Sequence, residues 1–214
     1  MNTFLFDFDG TLVDSMPTYG RIIIKILDKY GVQYADDIIK IVTPLGFPGT
    51  AKYMTENMGV KVAQKELIDL MNEYLYYEYA NNIPAKNNVT DVLKKLKQSG
   101  ADLNVLTASP HVTIDPCLKR LGIFDLFRNV WSCDDFKTTK ADPGIYKAAA
   151  EKIGQSVENI LFFDDNYNAD KAAVSAGMKV CGVYDKSSEE YTEDIKSVCD
   201  YYIYDFSELF NLFD

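Results

Sequence analysis

The chain has 214 residues, of which 47% are hydrophobic and 25% charged, a composition typical of a globular rather than a disordered protein. Thirty-two acidic against 22 basic residues give a net charge of −10, which argues against nucleic acid as a partner. No apolar run approaches the roughly 18 residues of a membrane span. The first residues lack the basic and apolar regions of a signal peptide, so we expect a cytoplasmic protein with no membrane partner.

The cysteines and the single histidine give little scope for disulfide or zinc chemistry. None of Cys117, Cys133, Cys181 and Cys199 forms a C-x-x-C pair, and the one histidine is at position 111. In a chain of this size, scattered cysteines are typical of reduced thiols. We therefore expect the chemistry to come from carboxylates, hydroxyl groups, lysines and the backbone.

Short apolar runs alternate with amphipathic segments along most of the chain. The apolar runs predict strands at Thr3–Phe8, Ala101–Leu106, Asn129–Ser132, Asn159–Phe163, Met178–Val183 and Tyr201–Tyr204. Helical patterns occur at Val89–Gln98, Thr113–Leu121, Gly144–Ile153, Asp170–Ala176 and Ser188–Val198. Strands that alternate with helices need crossover connections. We predict an α/β fold, with a Rossmann-like, mostly parallel sheet that carries helices on both faces.

Residues 15–85 interrupt this alternation. They contain no convincing strand, and helical patterns occur around Tyr19–Tyr30 and Leu67–Tyr79. Proline and glycine at Thr43–Thr50 predict a loop between the two patterns. We predict a core domain of residues 1–14 and 86–214, and a small all-helical domain of residues 15–85 inserted after the first strand.

Acidic residues follow two of the predicted strands. Asp7 and Asp9 end the first strand, and Gly10 permits a sharp bend after them. Asp164 and Asp165 follow the strand at 159–163. Ligands collect at the carboxyl ends of parallel strands, and like charges gathered there favour a bound cation. Since Mg²⁺ prefers carboxylates together with phosphate oxygens and water, the pattern predicts a magnesium site shared by Asp7 and Asp165.

Simpler structural roles exist for some of these acids. The Asp9–Gly10 pair could close a hairpin turn, although the following residues do not resemble a paired strand. One of the later acids could cap the helix at Asp170–Ala176. A cap accounts for one acid, whereas each of the two strand ends carries a pair.

Hydroxyl groups and a lysine complete the candidate site. The second strand leads into Thr107, Ala108 and Ser109, where small residues and free backbone N–H groups suit a phosphate. An ordinary helix N-cap explains the same residues about equally well. Lys140 precedes a helix that begins near Pro143, and its side chain could reach the same edge, although most lysines are solvated.

In order and spacing, these segments resemble the haloacid dehalogenase superfamily of phosphohydrolases. Asp7–Thr11 matches its D-x-D-G-T signature, which is highly specific. Thr107 and Lys140 match the hydroxyl residue and the lysine of its second and third motifs. Asp164–Asp165 with Asp170 matches its acidic fourth motif, so the resemblance covers essentially the whole chain. The inserted segment resembles the helical cap of the phosphoglycolate phosphatase-like and β-phosphoglucomutase-like members.

Three positions depart from the family pattern. Ala141 stands where proline is common, and Asp164 stands where glycine or glutamate is usual. Ala169 occupies one of the usual positions of the downstream acid, and Asp170 occupies the other. The role of Asp170 therefore stays open.

The resemblance implies a role for each of the site residues. Asp7 would be the nucleophile that forms an aspartyl-phosphate, and Asp9 would be the acid and base. Thr107, Ala108 and Lys140 would bind the substrate phosphate.

The same resemblance implies the ligands of the metal ion. These would be the carboxylates of Asp7 and Asp165 and the backbone carbonyl of Asp9, with Asp164 beside them. Lys140 would hold Asp7 and Asp164 in place.

The function implied is a Mg²⁺-dependent hydrolase of a small phosphate ester, resembling phosphoglycolate phosphatases, in a monomer or homodimer. The alternatives are a phosphosugar mutase and a non-catalytic phosphate- or protein-binding relative. A chloroacid dehalogenase would lack the acid supplied by Asp9. A phosphonate hydrolase would need an imine-forming lysine in the inserted domain, and nothing in the sequence marks the candidate Lys52 as activated. We expect the apolar segment Thr43–Lys52 to select the substrate and His111 to be an exposed residue at a helix start.

Overall fold

The computed structural model describes residues 2–212, and those residues form one sheet of six strands. The strands are β1 (Thr3–Phe6), β2 (Asp102–Thr107), β3 (Asn129–Ser132), β4 (Ile160–Asp164), β5 (Lys179–Val183) and β6 (Tyr201–Ile203). Neighbouring strands are parallel, in the order β3-β2-β1-β4-β5-β6. Because parallel crossovers are right-handed and the direction of winding reverses at β1, helices cover both faces. The predicted α/β fold is confirmed.

Within residues 2–212 the structure has nine α-helices, and all but the second and third match helical patterns of the sequence. They are α1 (Met16–Lys29), α2 (Ile38–Val42), α3 (Gly46–Asn57), α4 (Gln64–Asn81), α5 (Val89–Gln98), α6 (His111–Arg120), α7 (Pro143–Ile153), α8 (Tyr167–Ala176) and α9 (Thr192–Val198). The bounds of α5 are those predicted, and it buries Val89, Val92, Leu93 and Leu96 on one face. Within residues 2–212, none of the helices has both the length and the apolar character that a bilayer span requires.

One predicted loop is helical in the structure. Proline and glycine at residues 43–50 predict a loop, but α3 starts at Gly46 and continues past Lys52. Pro48 lies in the first turn of α3, where a backbone N–H has no partner within the helix, so proline removes no hydrogen bond there. The loop prediction is therefore wrong for most of this segment.

Smaller differences occur at the ends of elements. β1 ends at Phe6 because the Phe8 carbonyl accepts hydrogen bonds from the turn that follows. α8 begins at Tyr167, earlier than predicted, because the Asn166 side chain accepts hydrogen bonds from its first turn. α9 begins only at Thr192, after a 3₁₀ segment.

The chain divides into two compact units. The first runs up to Asp14 and resumes at Pro84, and it holds the whole sheet. The second is Ser15–Ile83, which contains α1 to α4. Its buried apolar side chains include Ile22, Ile23, Ile26, Leu67, Met71 and Leu75. Pro84 and Ala85, predicted in the inserted domain, belong to the first unit because their backbone pairs with residues 13 and 14.

Phenylalanines of β1 and β4 form the centre of the first unit. Phe4, Phe6, Phe162 and Phe163 are almost completely buried, and the ring centroids of Phe6 and Phe163 lie 4.7 Å apart. Stacked aromatic pairs of this kind stabilise the folded state by more than the burial of their apolar area alone. This packing fixes the two strands side by side, so that their carboxyl ends meet at one place on the edge of the sheet.

Candidate active site

Three carboxylates meet where β1 and β4 end. The Asp7 N–H donates to the Phe163 carbonyl at 2.8 Å, which continues the pairing of the two strands. Asp7, Asp164 and Asp165 are buried, and each offers a carboxylate oxygen within 4.8 Å of the others. The strand order reverses at β1, and such a switch point is where ligands bind in open α/β sheets.

Lys140 inserts its ammonium group among these acids. Its Nζ lies 2.6 Å from Asp7 Oδ1 and 2.6 Å from Asp164 Oδ2, with its side chain only 14% exposed. The buried Tyr146 hydroxyl holds the segment in place, since it lies 3.0 Å from both the Lys140 and the Ala169 carbonyl oxygens. The structure therefore brings the predicted lysine and the predicted acids into direct contact.

The electrostatics of this cluster leave negative charge uncompensated. Burial raises the pKa of Asp7 to about 8, and the charges of Asp164 and Asp9 act in the same direction, against Lys140. Burial and the charges of Asp164 and Asp7 also raise the pKa of Asp165 well above its usual value. Burial lowers the pKa of Lys140, but the two acids outweigh it and raise that pKa well above normal. One ammonium does not balance three carboxylates.

The residues present fit a magnesium ion. Buried carboxylate oxygens are the hard ligands that Mg²⁺ takes, and a divalent cation would offset the burial and the neighbouring charges that raise the pKa values of Asp7 and Asp165. Gly10, at φ +78°, leaves the space that Asp165 occupies, because a Cβ there would lie 2.6–2.7 Å from the Asp165 carboxylate. The Thr11 hydroxyl lies 3.4 Å from Asp165 Oδ1.

Asp9 lies beside the end of β2. The Ser109 hydroxyl donates to Asp9 Oδ2 at 2.5 Å, and the Ser109 N–H donates to Thr107 Oγ1 at 3.1 Å. Thr107 is buried as the last residue of β2, whereas Ala108 after it is exposed. The segment 107–109 is therefore placed next to the predicted acid, as a phosphate-binding role for Thr107 and Ala108 requires.

The chain matches the model of one protein family over residues 1–177, that of the haloacid dehalogenase-like hydrolases. The match covers more than half of the chain and includes every residue of the site described above. The chain belongs to the haloacid dehalogenase-like hydrolases.

Relatives and solved structures agree with this assignment. A pyrophosphatase PpaX of Bacillus velezensis is 29% identical, over 84% of this chain and 81% of its own. A phosphoglycolate phosphatase of Psychrobacter arcticus is 30% identical, over 81% and 83%. A crystal structure from Thermotoga maritima, provisionally assigned as a β-phosphoglucomutase, shares the fold with a TM-score of 0.86, at 22% identity over 100% and 98%. This haloacid dehalogenase-like hydrolase is a phosphatase.

Two residues that contact Asp9 or the turn after it in the structure were not among the predicted site residues. Ser109 belongs to the predicted phosphate-binding segment but was given no role of its own. Its hydroxyl group, two residues after Thr107, could have indicated one. Lys86 had no local signal, because its ammonium contacts Gly10 and Asp185, which are 76 and 99 residues away. Both were missed because their partners come from other parts of the chain.

Asp170 lies apart from the acidic cluster, in the first turn of α8. Its side chain is fully buried, and both carboxyl oxygens lack a hydrogen-bond partner of ordinary length within residues 2–212. The Cys199 thiol acts on it as a weak donor. Burial, and then the charge of Asp164, raise the pKa of Asp170 well above normal. The cap of α8 is Asn166, so none of the predicted acids has the capping role considered above.

His111 is the first residue of α6 and bridges two carboxylates. Its Nδ1 lies 3.0 Å from Asp115 and its Nε2 lies 2.9 Å from Asp135, with the side chain 44% exposed. The hydrogen bond to Asp115, followed by that to Asp135, raises the pKa of His111. The histidine therefore connects α6 to the segment that follows β3, as an exposed residue at a helix start.

A His111→Gln variant is expected to be less stable than the parent protein at acid pH and equally stable at alkaline pH. Because the folded pKa lies above the unfolded value of about 6.5, the stabilisation is complete below about pH 6.5 and disappears as the pH rises through the folded pKa. Because His111 is exposed to solvent, the stabilisation that its ion pairs contribute stays below about 1 kcal/mol. Urea unfolding of both proteins across this pH range tests the expectation, which a difference that grows with pH would contradict.

Proposed function

We propose that this phosphatase is a magnesium-dependent phosphomonoester hydrolase that acts on a small phosphorylated metabolite through an aspartyl-phosphate on Asp7. The observation that carries the proposal is the setting of Asp7, a buried carboxylate in contact with Lys140 and grouped with Asp164 and Asp165. A carboxylate that attacks a phosphate needs positive charge around both anions. Lys140 would supply part of this charge, and a metal ion held by the three carboxylates would supply the rest.

The first step transfers the phosphoryl group to the protein. An Asp7 carboxylate oxygen forms a bond to phosphorus as the bond between phosphorus and the ester oxygen breaks. Asp9 gives its proton to the departing oxygen, which leaves as an alcohol. The hydrogen bond from Ser109 to Asp9 Oδ2 orients the acid for this transfer.

The second step releases phosphate. Asp9, now ionised, takes a proton from a water molecule as the water oxygen forms a bond to phosphorus. The bond between phosphorus and the Asp7 oxygen breaks, so that inorganic phosphate leaves. Asp7 is again a carboxylate and Asp9 is again protonated, which restores the starting state.

The other residues bind the phosphate and the metal ion. Lys140, Thr107 and the backbone of Ala108 would contact the phosphate oxygens, and Asp164 would orient Lys140. The Mg²⁺ ion would be held by the Asp7 and Asp165 carboxylates and the Asp9 backbone carbonyl, with Asp164 beside them. When bound, the ion supplies the positive charge that offsets the charge on the phosphate.

The proposed substrate is an ester with one phosphate, of the size of phosphoglycolate. Residues 43–52, to which we assign substrate selection, contain Lys52 as their one charged residue. A second phosphate would favour arginines, which bind phosphate through two parallel hydrogen bonds. The relative from Psychrobacter arcticus is named for phosphoglycolate, which agrees with this class of substrate.

The test is phosphate release from phosphoglycolate, pyrophosphate, β-glucose 1-phosphate and p-nitrophenyl phosphate, with added Mg²⁺ or with EDTA. We expect release that requires Mg²⁺ and favours a monophosphate ester. Release that is undiminished in EDTA would contradict the metal dependence, and a preference for pyrophosphate would contradict the substrate class. Glucose 6-phosphate formed from β-glucose 1-phosphate without phosphate release would favour the mutase, and no conversion of any compound would favour a binding role.

A further inference from the structure

Lys86 makes three contacts that together hold its side chain in a single geometry. Its Nζ lies 2.6 Å from the Gly10 carbonyl oxygen, 2.5 Å from the Tyr184 carbonyl oxygen and 3.0 Å from Asp185 Oδ2. The side chain is 18% exposed, and that of Asp185 is 7% exposed. A lysine ammonium has three N–H donors, so these acceptors use all of its donor capacity.

The Gly10 contact joins Lys86 to the turn that follows Asp9. Gly10 adopts φ +78°, and glycine is the residue with the greatest backbone freedom. Its N–H donates to the Val13 carbonyl at 3.0 Å, and its carbonyl accepts from Lys86. The Lys86 backbone N–H also donates to the Leu12 carbonyl at 3.0 Å. Lys86 thus contacts the turn at two carbonyl oxygens, those of Gly10 and Leu12.

Asp9 is therefore held from two directions. The Ser109 hydroxyl holds its carboxylate, and the Lys86 ammonium holds the carbonyl of the residue that follows it. Proton transfer to a leaving group depends on placement of the acid to within about 1 Å. Next to that acid, Gly10 is held by its N–H bond to the Val13 carbonyl and by the contact of its carbonyl with Lys86.

We propose that Lys86 is a positioning residue, which orients the proton donor Asp9 through the Gly10 carbonyl. This inference rests on the proposed function, in which Asp9 protonates the leaving oxygen. The competing explanation is that Lys86 and Asp185 form an ion pair that only stabilises the fold. A positioning role predicts a loss of activity mainly for esters whose leaving oxygen needs a proton. A purely structural role predicts equal losses for esters that need this proton and esters that do not.

The experiment compares kcat/KM for two esters in Lys86→Met and in Asp185→Asn. An alkyl phosphate needs a proton on its leaving oxygen, whereas p-nitrophenolate departs without one. Lys86→Met removes all three contacts of the ammonium, while Asp185→Asn removes the ion pair and leaves the contacts to the Gly10 and Tyr184 carbonyls. We expect Lys86→Met to lower kcat/KM for the alkyl phosphate about tenfold or more and for p-nitrophenyl phosphate less than about threefold. Asp185→Asn should lower neither by more than about threefold.

Equal losses for the two esters in Lys86→Met, or no loss, would overturn the proposal, as would the same selective loss in Asp185→Asn. Thermal unfolding of each variant sets an assay temperature at which all the proteins are folded. If Lys86→Met does not fold, Lys86→Arg is assayed instead, because it keeps the positive charge but changes the reach of the donors. We expect a smaller loss of kcat/KM than for Lys86→Met, again mainly for the alkyl phosphate. Absence of activity in the unmodified protein would instead refute the proposed function itself.

Discussion

An Asp7→Asn variant is expected to lose turnover by a factor of about 10⁴ or more, because a carboxamide does not attack phosphorus and an essential nucleophile is costly to remove. Asp7 is the buried carboxylate that Lys140 contacts at 2.6 Å, and no other group described here is proposed to accept the phosphoryl group. The variant should fold, since it removes a buried carboxylate whose pKa is raised by burial and by the charges of Asp164 and Asp9.

The measurement is phosphate release at saturating substrate, together with acid-quenched trapping of the phosphorylated protein. Unmodified protein should carry a phosphoryl group on Asp7 after quenching, and the variant should carry none. The control is Asp194→Asn, which makes the same change at an exposed aspartate of α9 and should leave turnover unaffected. Turnover of Asp7→Asn within about tenfold of the unmodified rate would refute nucleophilic catalysis by Asp7.

An Asp170→Asn variant is expected to be more stable than the unmodified protein at neutral pH, because the carboxamide occupies the same buried position without an ionisable group whose charged form burial disfavours. The carboxyl of Asp170 is buried and lacks an ordinary hydrogen-bond partner in the described part of the chain. Burial raises its pKa, so the folded state retains a proton that the unfolded chain releases above about pH 4.

The pH dependence follows from that difference in proton binding. Between about pH 4 and the folded pKa the unfolded state binds fewer protons, so the stability of the unmodified protein falls as the pH rises through this range. Asparagine does not titrate, and the advantage of Asp170→Asn should therefore be small near pH 4 and grow towards neutral pH. Urea unfolding in EDTA at several pH values measures it, with Asp194→Asn as the exposed control. A variant less stable than the unmodified protein at neutral pH would show that the carboxylate has a stabilising partner.

Local patterns in the sequence predicted the sheet and most of the helices. Amphipathic periodicity is a local property, and for α5 it located both ends of the helix at Val89 and Gln98. The acids at the ends of β1 and β4 could be grouped because parallel strands place their carboxyl ends at one edge. Contact of Lys140 with Asp7 and Asp164 followed from the family motif, and the structure places these three side chains together.

The same local reasoning misplaced α3. Proline and glycine usually end regular structure. Pro48, however, lies in the first turn of α3, where a backbone N–H has no acceptor within the helix, so proline costs no hydrogen bond there. Composition alone does not show at which position of a helix a proline will lie. The start of α3 at Gly46 therefore does not follow from the composition of this segment.

By itself, the sequence determined the order of strands and helices, the acids of the site and the family, because these depend on local pattern and on a specific motif. Tertiary structure alone decided how that site is supported. The contact of Ser109 with Asp9 spans 100 residues, and that of Lys86 with Gly10 spans 76. The complete burial of Asp170, which raises its pKa, likewise depends on side chains from several elements. Contacts across such separations arise only when the strands assemble, and they set the geometry and the charge of the site.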